Sequence, residues 1–221
     1  MTRNIPEALR RLGGQDETLD EVASYLWNIG QVIAALPREP LAEISELLMQ
    51  AGREGKLILI PGNGGSAATA SHLACDLAKT ASVPGHPRMR TVALTDNVPL
   101  LTAWGNDASS DLVFAEQVRT LASPGDLVVA ISASGNSPNV LAAATAAREM
   151  GAHVVGVTGF GGGRLQALCD TCLVVPSHQY GPVEDAHMIL VHVVTSAIRA
   201  SLTARQSAAV VPIEAGEAAV H

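Results

Sequence analysis

Two short stretches of this chain carry more hydrogen-bonding groups than a turn needs. The first, Pro61-Gly62-Asn63-Gly64-Gly65-Ser66, follows an apolar run and opens a helical segment. Free backbone N–H groups at a helix start, joined by the Ser66 hydroxyl, form a cradle for an anion. The stretch is neither a Walker A loop, since no Gly-Lys-Ser/Thr follows, nor the G-x-G-x-x-G dinucleotide fingerprint. The second, Ser132-Ala133-Ser134-Gly135-Asn136-Ser137, places three hydroxyls between another apolar run and another helical segment. Turn and cap chemistry explains one or two of these side chains. Three serines beside a helix start suit a phosphate.

The titratable candidates lie on the helical segments beyond these loops. His72 and Asp76 are spaced i, i+4, which sets an imidazole and a carboxylate on one helix face. Glu184 and His192 are about two turns apart on the last helical segment, with Asp185 and His187 between them. An isolated His-x-x-x-Asp is more often a hydrogen-bonded surface pair, and its nearness to two phosphate-type loops is what makes it a functional candidate. His86 and His178 fall in loops, His153 begins a strand and His187 faces a neighbouring helix, so all four read as structural. Trp27, Trp104 and Phe114 read as core or subunit-interface packing. Cys169 and Cys172 form a C-x-x-C spacing, but it runs into the apolar CLVVP stretch and has no second pair for zinc, so buried structural thiols are expected.

These groups must be positioned by a scaffold, and the pattern of the chain predicts one. From Asp16 to Pro37 the residues Leu19, Val22, Ala23, Leu26, Ile29 and Ile33 recur at helical spacing. A second amphipathic helix follows in PLAEISELLMQAGREG, with Leu41, Ile44, Leu47 and Leu48 on one face. Beyond it the runs KLILIPG, TVALT, DLVVAIS, HVVGVTG and CLVVPS alternate with turns and helical segments. The runs are continuously apolar, as strands covered on both faces are, so the expected fold is α/β: an αβα sandwich with a five-stranded parallel sheet, preceded by N-terminal helices. In such sheets ligands bind at the carboxyl ends of the strands. A last helix is expected from Val183 to about Arg205. Residues 1–205 then make one domain and 206–221 a small-residue, disordered tail.

Bulk composition narrows the function further. At 221 residues the chain fits a single domain, and a composition 48% hydrophobic but 3% aromatic calls for a core of Ala, Val, Leu and Ile. A net charge of -7 argues against a nucleic-acid-binding surface, which needs clustered Lys and Arg. An odd number of cysteines suits a reducing cytosol, and the N-terminal stretch lacks the apolar core of a signal peptide. With no run of about 18 apolar residues, a cytoplasmic protein without a membrane partner is expected.

GNGGSAATASHLACDLAK and ISASGNSPNVLAAATAAREMG resemble the two signature segments of the phosphoheptose isomerase branch of the SIS (sugar isomerase) domain family, and AWGND and VTGFGGG resemble its intervening motifs. The resemblance runs from about Leu57 to Ile198. It implies the SIS fold, a homotetramer bundled by the N-terminal helices, and isomerisation of sedoheptulose 7-phosphate to a heptose 7-phosphate. It further implies that Ser66, Ser132, Ser134 and Ser137 hold the phosphate, with Asn63, Gly64 and Asp107 near the sugar. The family places His and Glu, then Gln and His, around a divalent metal, often zinc, where they act as catalytic base and acid. Here the set reads His72, Asp76, Glu184 and His192, with Asp76 the candidate base, His192 the candidate acid and Glu184 also set to meet substrate. Four departures stand out: Ala133 replaces a hydroxyl residue, Asp76 is shorter than Glu, Glu184 adds a charge where the family has a neutral amide, and Gly181-Pro182 replaces a polar pair. Alternatives compatible with these departures are a non-catalytic sugar-phosphate-binding or protein-interaction module and an isomerase or epimerase of another phosphosugar.

Overall fold

The computed structural model describes residues 17–209. Five strands form one parallel sheet in the order β2-β1-β3-β4-β5: β1 Leu57–Ile60, β2 Arg90–Ala93, β3 Leu127–Ser132, β4 His153–Thr158 and β5 Thr171–Val174. All five expected apolar runs contain a strand. Their side chains alternate between two cores. Ile58, Ile60, Leu127, Val129, Ile131 and Val155 enter one core, whereas Leu59, Val128, Ala130 and Val154 enter the other.

Helices cover both faces. The first core is closed by α1 (Glu17–Ala34), α2 (Arg38–Arg53), α3 (Gly65–Cys75) and α7 (Tyr180–Ala209). The second is closed largely by α5 (Ala115–Leu121) and α6 (Pro138–Glu149), with α4 (Val98–Asp107) contributing Leu101 and Trp104 at its margin. Alanines at 143, 144, 146 and 147 are fully buried on α6, which lets that helix approach the sheet closely. Phe114 is buried in this core and Trp104 packs half-buried against it, as expected, while Trp27 is 36% exposed on α1.

The first helix turns part of its apolar stripe outward, and the last differs in its bounds from those expected. On α2 the apolar face turns inward, burying Ile44 and Leu48, but on α1 Leu19, Val22 and Leu26 are 45%, 51% and 62% exposed. The inward contacts of α1 come from Val32, Ser24 and Ile29 instead. The N-terminal part of the α1 stripe, Leu19, Val22 and Leu26, therefore looks away from its own domain, while Ile29 of the same stripe packs against the core. The final helix begins at Tyr180, ahead of Val183, and runs to Ala209, so 206–209 continue the helix where a tail was expected; residues 210–221 lie outside the described part. By length and composition α7 is apolar enough to cross a membrane. One face of it, including Val183, Ala186, Leu190, Val194 and Ile198, is nevertheless buried in the first core.

The strand order places the reversal of winding between β1 and β3, so the crevice at their carboxyl ends is the favoured ligand site. Those ends carry the two Ser/Gly/Asn loops. The amide of Ile131 donates to the carbonyl of Pro61 at 3.1 Å, which fixes one loop against the other.

Candidate functional site

Asn63, Gly64, Gly65, Ser66, Ser132, Ala133, Ser134, Ser137, Tyr180 and Glu184 line a hollow of about 220 Å³ above the switch point. Its floor is two helix starts. At α6 Pro138 occupies the first turn, where its missing N–H is no loss, and Ser137 stands at the cap position without making a capping bond. Its hydroxyl instead meets that of Ser132 at 3.1 Å. The start of α3, at Gly64, likewise has no side-chain cap. Ordinary capping would use the Ser137 hydroxyl; neither helix start has a side-chain cap, an arrangement that suits an anion. Asn63 and Asn139 bridge the loops with reciprocal amide bonds, Asn63 Nδ2 to Asn139 Oδ1 at 2.7 Å and Asn139 Nδ2 to Asn63 Oδ1 at 3.0 Å.

Backbone packing holds the second loop in shape. Gly135 has φ 65°, and a Cβ there would run into the carbonyl of Gly162. Leu165 N donates to Gly135 O at 2.9 Å, and Arg164 N donates to Asn136 Oδ1 at 3.1 Å. The glycine-rich GFGGG segment thus backs the cradle.

Glu184 is where the structure redirects the sequence reading. Its carboxylate lies against Gly65, so close that a Cβ on Gly65 would be 2.6 Å from it. An anionic side chain therefore sits over the first turn of α3, at the positive end of that helix. Among the described residues the metal-type cluster contains His72, Asp76 and His192, and Glu184 is not part of it. Asp107 does not line the hollow either: it ends α4, exposed, and accepts a bond from Asn106 Nδ2 at 2.7 Å.

The three-residue cluster is tightly drawn. His192 Nε2 is 3.0 Å from His72 Nε2, and His72 Nε2 is 3.5 Å from Asp76 Oδ2. Donors on a tetrahedral zinc with bonds of about 2.0–2.1 Å stand about 3.3 Å apart, so this set fits an ion with little movement. Two imidazoles and one carboxylate leave a coordination position open, as catalytic zinc sites do. Asp76 is held from behind by Thr80, whose hydroxyl donates to Oδ1 at 2.8 Å. The helix widens into a π-helical turn at Asp76–Thr80, and Arg199 of α7 pins the end of that turn by donating to the carbonyls of Thr80 and Ser82. Helical spacing alone shows the His72–Asp76 pair but not this widened turn.

Residues 24–159 match the SIS domain family, over half of the chain. A phosphoheptose isomerase from Trichlorobacter lovleyi is 39% identical over 163 residues, which is 74% of this chain and 83% of that protein. The chain belongs to the SIS-domain family, in its phosphoheptose isomerase branch. The structure agrees: a phosphoheptose isomerase from Neisseria gonorrhoeae superposes with a TM-score of 0.76 at 35% identity, covering 82% of this chain and 98% of that one. A second, from Francisella tularensis, gives a TM-score of 0.78 at 30% identity, covering 84% and 100%.

Three neighbours of the site have no motif-level signal in the sequence. Tyr180 rims the hollow and stacks its ring against Phe160 at 4.7 Å between centroids. Asn139 reveals itself only through its pairing with Asn63. Tyr25 of α1 donates its hydroxyl to Asp185 at 2.7 Å, and that bond to a carboxylate, with burial, pushes the phenol up to about 12. Tyr25 thereby ties an N-terminal helix to the turn of α7 that carries Glu184.

Proposed function

We propose that this protein interconverts sedoheptulose 7-phosphate and D-glycero-D-manno-heptose 7-phosphate. The observation that carries the reading is that two helices each serve both ends of one site. From Ser66 to His72 along α3 is about 9 Å of helical rise, and from Glu184 to His192 along α7 about 12 Å. That span suits an extended six- or seven-carbon sugar phosphate, with its phosphate on Ser66, Ser132, Ser134 and Ser137 and its carbonyl end at the His/Asp cluster. Asn63, Gly64 and Glu184 border the path of the sugar, and the resemblance adds Asp107 from outside the hollow.

Aldose–ketose isomerisation moves a proton between neighbouring carbons through an enediol. Asp76, with Oδ1 committed to Thr80, and His192 are the residues the resemblance casts as base and acid for this proton transfer. A divalent metal, zinc for this donor set, would be held by His72, Asp76 and His192, and when bound it supplies electrostatic stabilisation of the developing oxyanion. Glu184 belongs to the sugar-phosphate end. The outward apolar stripe of α1 supports a homotetramer, and a phosphosugar substrate supports a cytoplasmic protein.

Purified protein supplied with sedoheptulose 7-phosphate should form the aldoheptose product, lose that turnover on chelation and regain it with zinc. Turnover of another phosphosugar with none of the heptulose phosphate would overturn the substrate assignment.

A further inference from the structure

Cys169 and Cys172 lie together at the outer edge of the sheet, half-buried rather than sealed in a core. Cys169 follows the short turn Leu165–Leu168, and Cys172 is the second residue of the edge strand β5. The residue paired with Cys172 across the ladder is Gly156 of β4. A Cβ built on Gly156 would lie 2.6 Å from the Cys169 sulfur and 2.9 Å from the Cys172 sulfur. Both sulfurs thus converge on one point, and a glycine inside an interior strand, where glycine weakens the strand, makes the room for them.

Each thiol also connects to the phosphate cradle. Cys169 Sγ donates to Leu165 O at 3.1 Å, and Leu165 N donates to Gly135 O in the second loop. Cys172 Sγ is 3.8 Å from Thr158 Oγ1, and Thr158 pairs with Ser132 across the sheet. The neighbouring Cys169 thiol, aided by Thr158 and opposed by burial, lowers the Cys172 thiol below the ordinary range, while the same contact raises Cys169. Cys172 is therefore the better nucleophile and Cys169 the resolving thiol.

We propose that Cys169 and Cys172 are a redox modification site, converted by low-molecular-weight disulfides of the glutathione type into an intramolecular disulfide that loosens the cradle behind Gly135. The Cys172 thiolate attacks one sulfur of the small disulfide, forming a mixed disulfide and releasing one small thiol. Cys169 gives its proton to solvent and attacks the Cys172 sulfur, releasing the second small thiol. Two electrons pass from the protein to the small disulfide, and the Cys169 donor to Leu165 is lost. The consequence for the cradle rests on the phosphate-binding reading above; the disulfide does not.

The test is to treat the full chain with glutathione disulfide at mildly alkaline pH, block free thiols and map the peptides. A Cys169–Cys172 disulfide is expected, with Cys169→Ser trapping a mixed disulfide on Cys172. Exposed Cys75 carrying the reagent while both other thiols stay free would overturn the site. Inorganic phosphate titrated by calorimetry should bind several-fold more weakly to the oxidised protein, recover with reductant, and bind the Cys169→Ser/Cys172→Ser variant equally with or without oxidant. Equal affinity of the oxidised and reduced protein would overturn the coupling alone. Absence of phosphate binding by the reduced protein would instead count against the cradle, leaving the peptide map to decide the disulfide.

Discussion

His187 is 1% exposed on α7, and it lines a cavity of about 30 Å³ among Ile44, Leu48, Leu73, Val129, Ile131 and Leu190. Neither ring nitrogen has a hydrogen-bond partner of good geometry. Burial pushes its pKa from the ordinary 6.5 down to about 4, with the backbone of Thr158 offsetting part of the cost. The folded protein thus keeps this imidazole neutral down to about pH 4, whereas the unfolded chain protonates it near pH 6.5. Between those values the unfolded state binds more protons, so stability is full above pH 6.5 and falls as pH drops towards 4. A tenfold difference in proton affinity is worth about 1.4 kcal/mol, which makes the loss about 3 kcal/mol over the whole window and about 2 kcal/mol from pH 7.5 to pH 5. For a chain of this size 2 kcal/mol corresponds to a fall in Tm of about 4–8 °C. His187→Leu removes the group, keeps roughly its volume and leaves no orphaned nitrogens. Urea unfolding of metal-free wild type and variant at the two pH values isolates the effect from other titrating groups. The variant should lose about 2 kcal/mol less than wild type on acidification. Parallel losses in both proteins would refute the idea that His187 is buried neutral.

Three further outcomes are expected of the site and its assembly. Glu184→Gln should strengthen inorganic phosphate binding by about tenfold in calorimetry, because it removes an anion from the start of α3, and should leave zinc affinity unchanged. His192→Ala should lower turnover of sedoheptulose 7-phosphate by about 10²–10⁴-fold and weaken zinc binding, with phosphate affinity preserved. Leu26→Glu, on the outward stripe of α1, should shift light-scattering mass from tetramer towards smaller species, and a wild type that is already monomeric would contradict the assembly.

The scaffold was legible because its signals are local. Continuous apolar runs such as DLVVAIS mark strands buried on both faces, and β3 is buried along its whole length. The meeting of the two Ser/Gly/Asn loops at the strand ends was equally legible, since their serines and glycines are consecutive in the chain and each loop leads directly into a helical segment. What the sequence hid depends on orientation between distant segments. Glu184 and His192 share a helix, yet the approach of α7 to Gly65 sends the first to the anion cradle and the second to His72. Apolar spacing on α1 gave the helix correctly but not the direction of its stripe, because periodicity says that a face is apolar and not what covers it. His187 shows the same limit: a polar residue on a helix reads as contact with a neighbour, and only packing against the sheet reveals that its ring nitrogens lack a partner of good geometry. The C-x-x-C pair acquired meaning from Gly156, a residue in another strand.

The missing side-chain caps of α3 and α6 reach beyond recognition. A cap is worth about 1 kcal/mol to a helix; the start of α6 has none, and that of α3 has only the Glu184 carboxylate set against Gly65, so a bound anion is positioned to supply that contribution. A ligand that binds only the folded chain adds its own binding energy to the folding balance. On the proposed phosphate site, substrate binding completes the fold, and the empty protein is expected to be more open to unfolding and to proteases. Where degradation acts on transiently unfolded chains, the cellular abundance of this protein will track the supply of the phosphosugar it turns over.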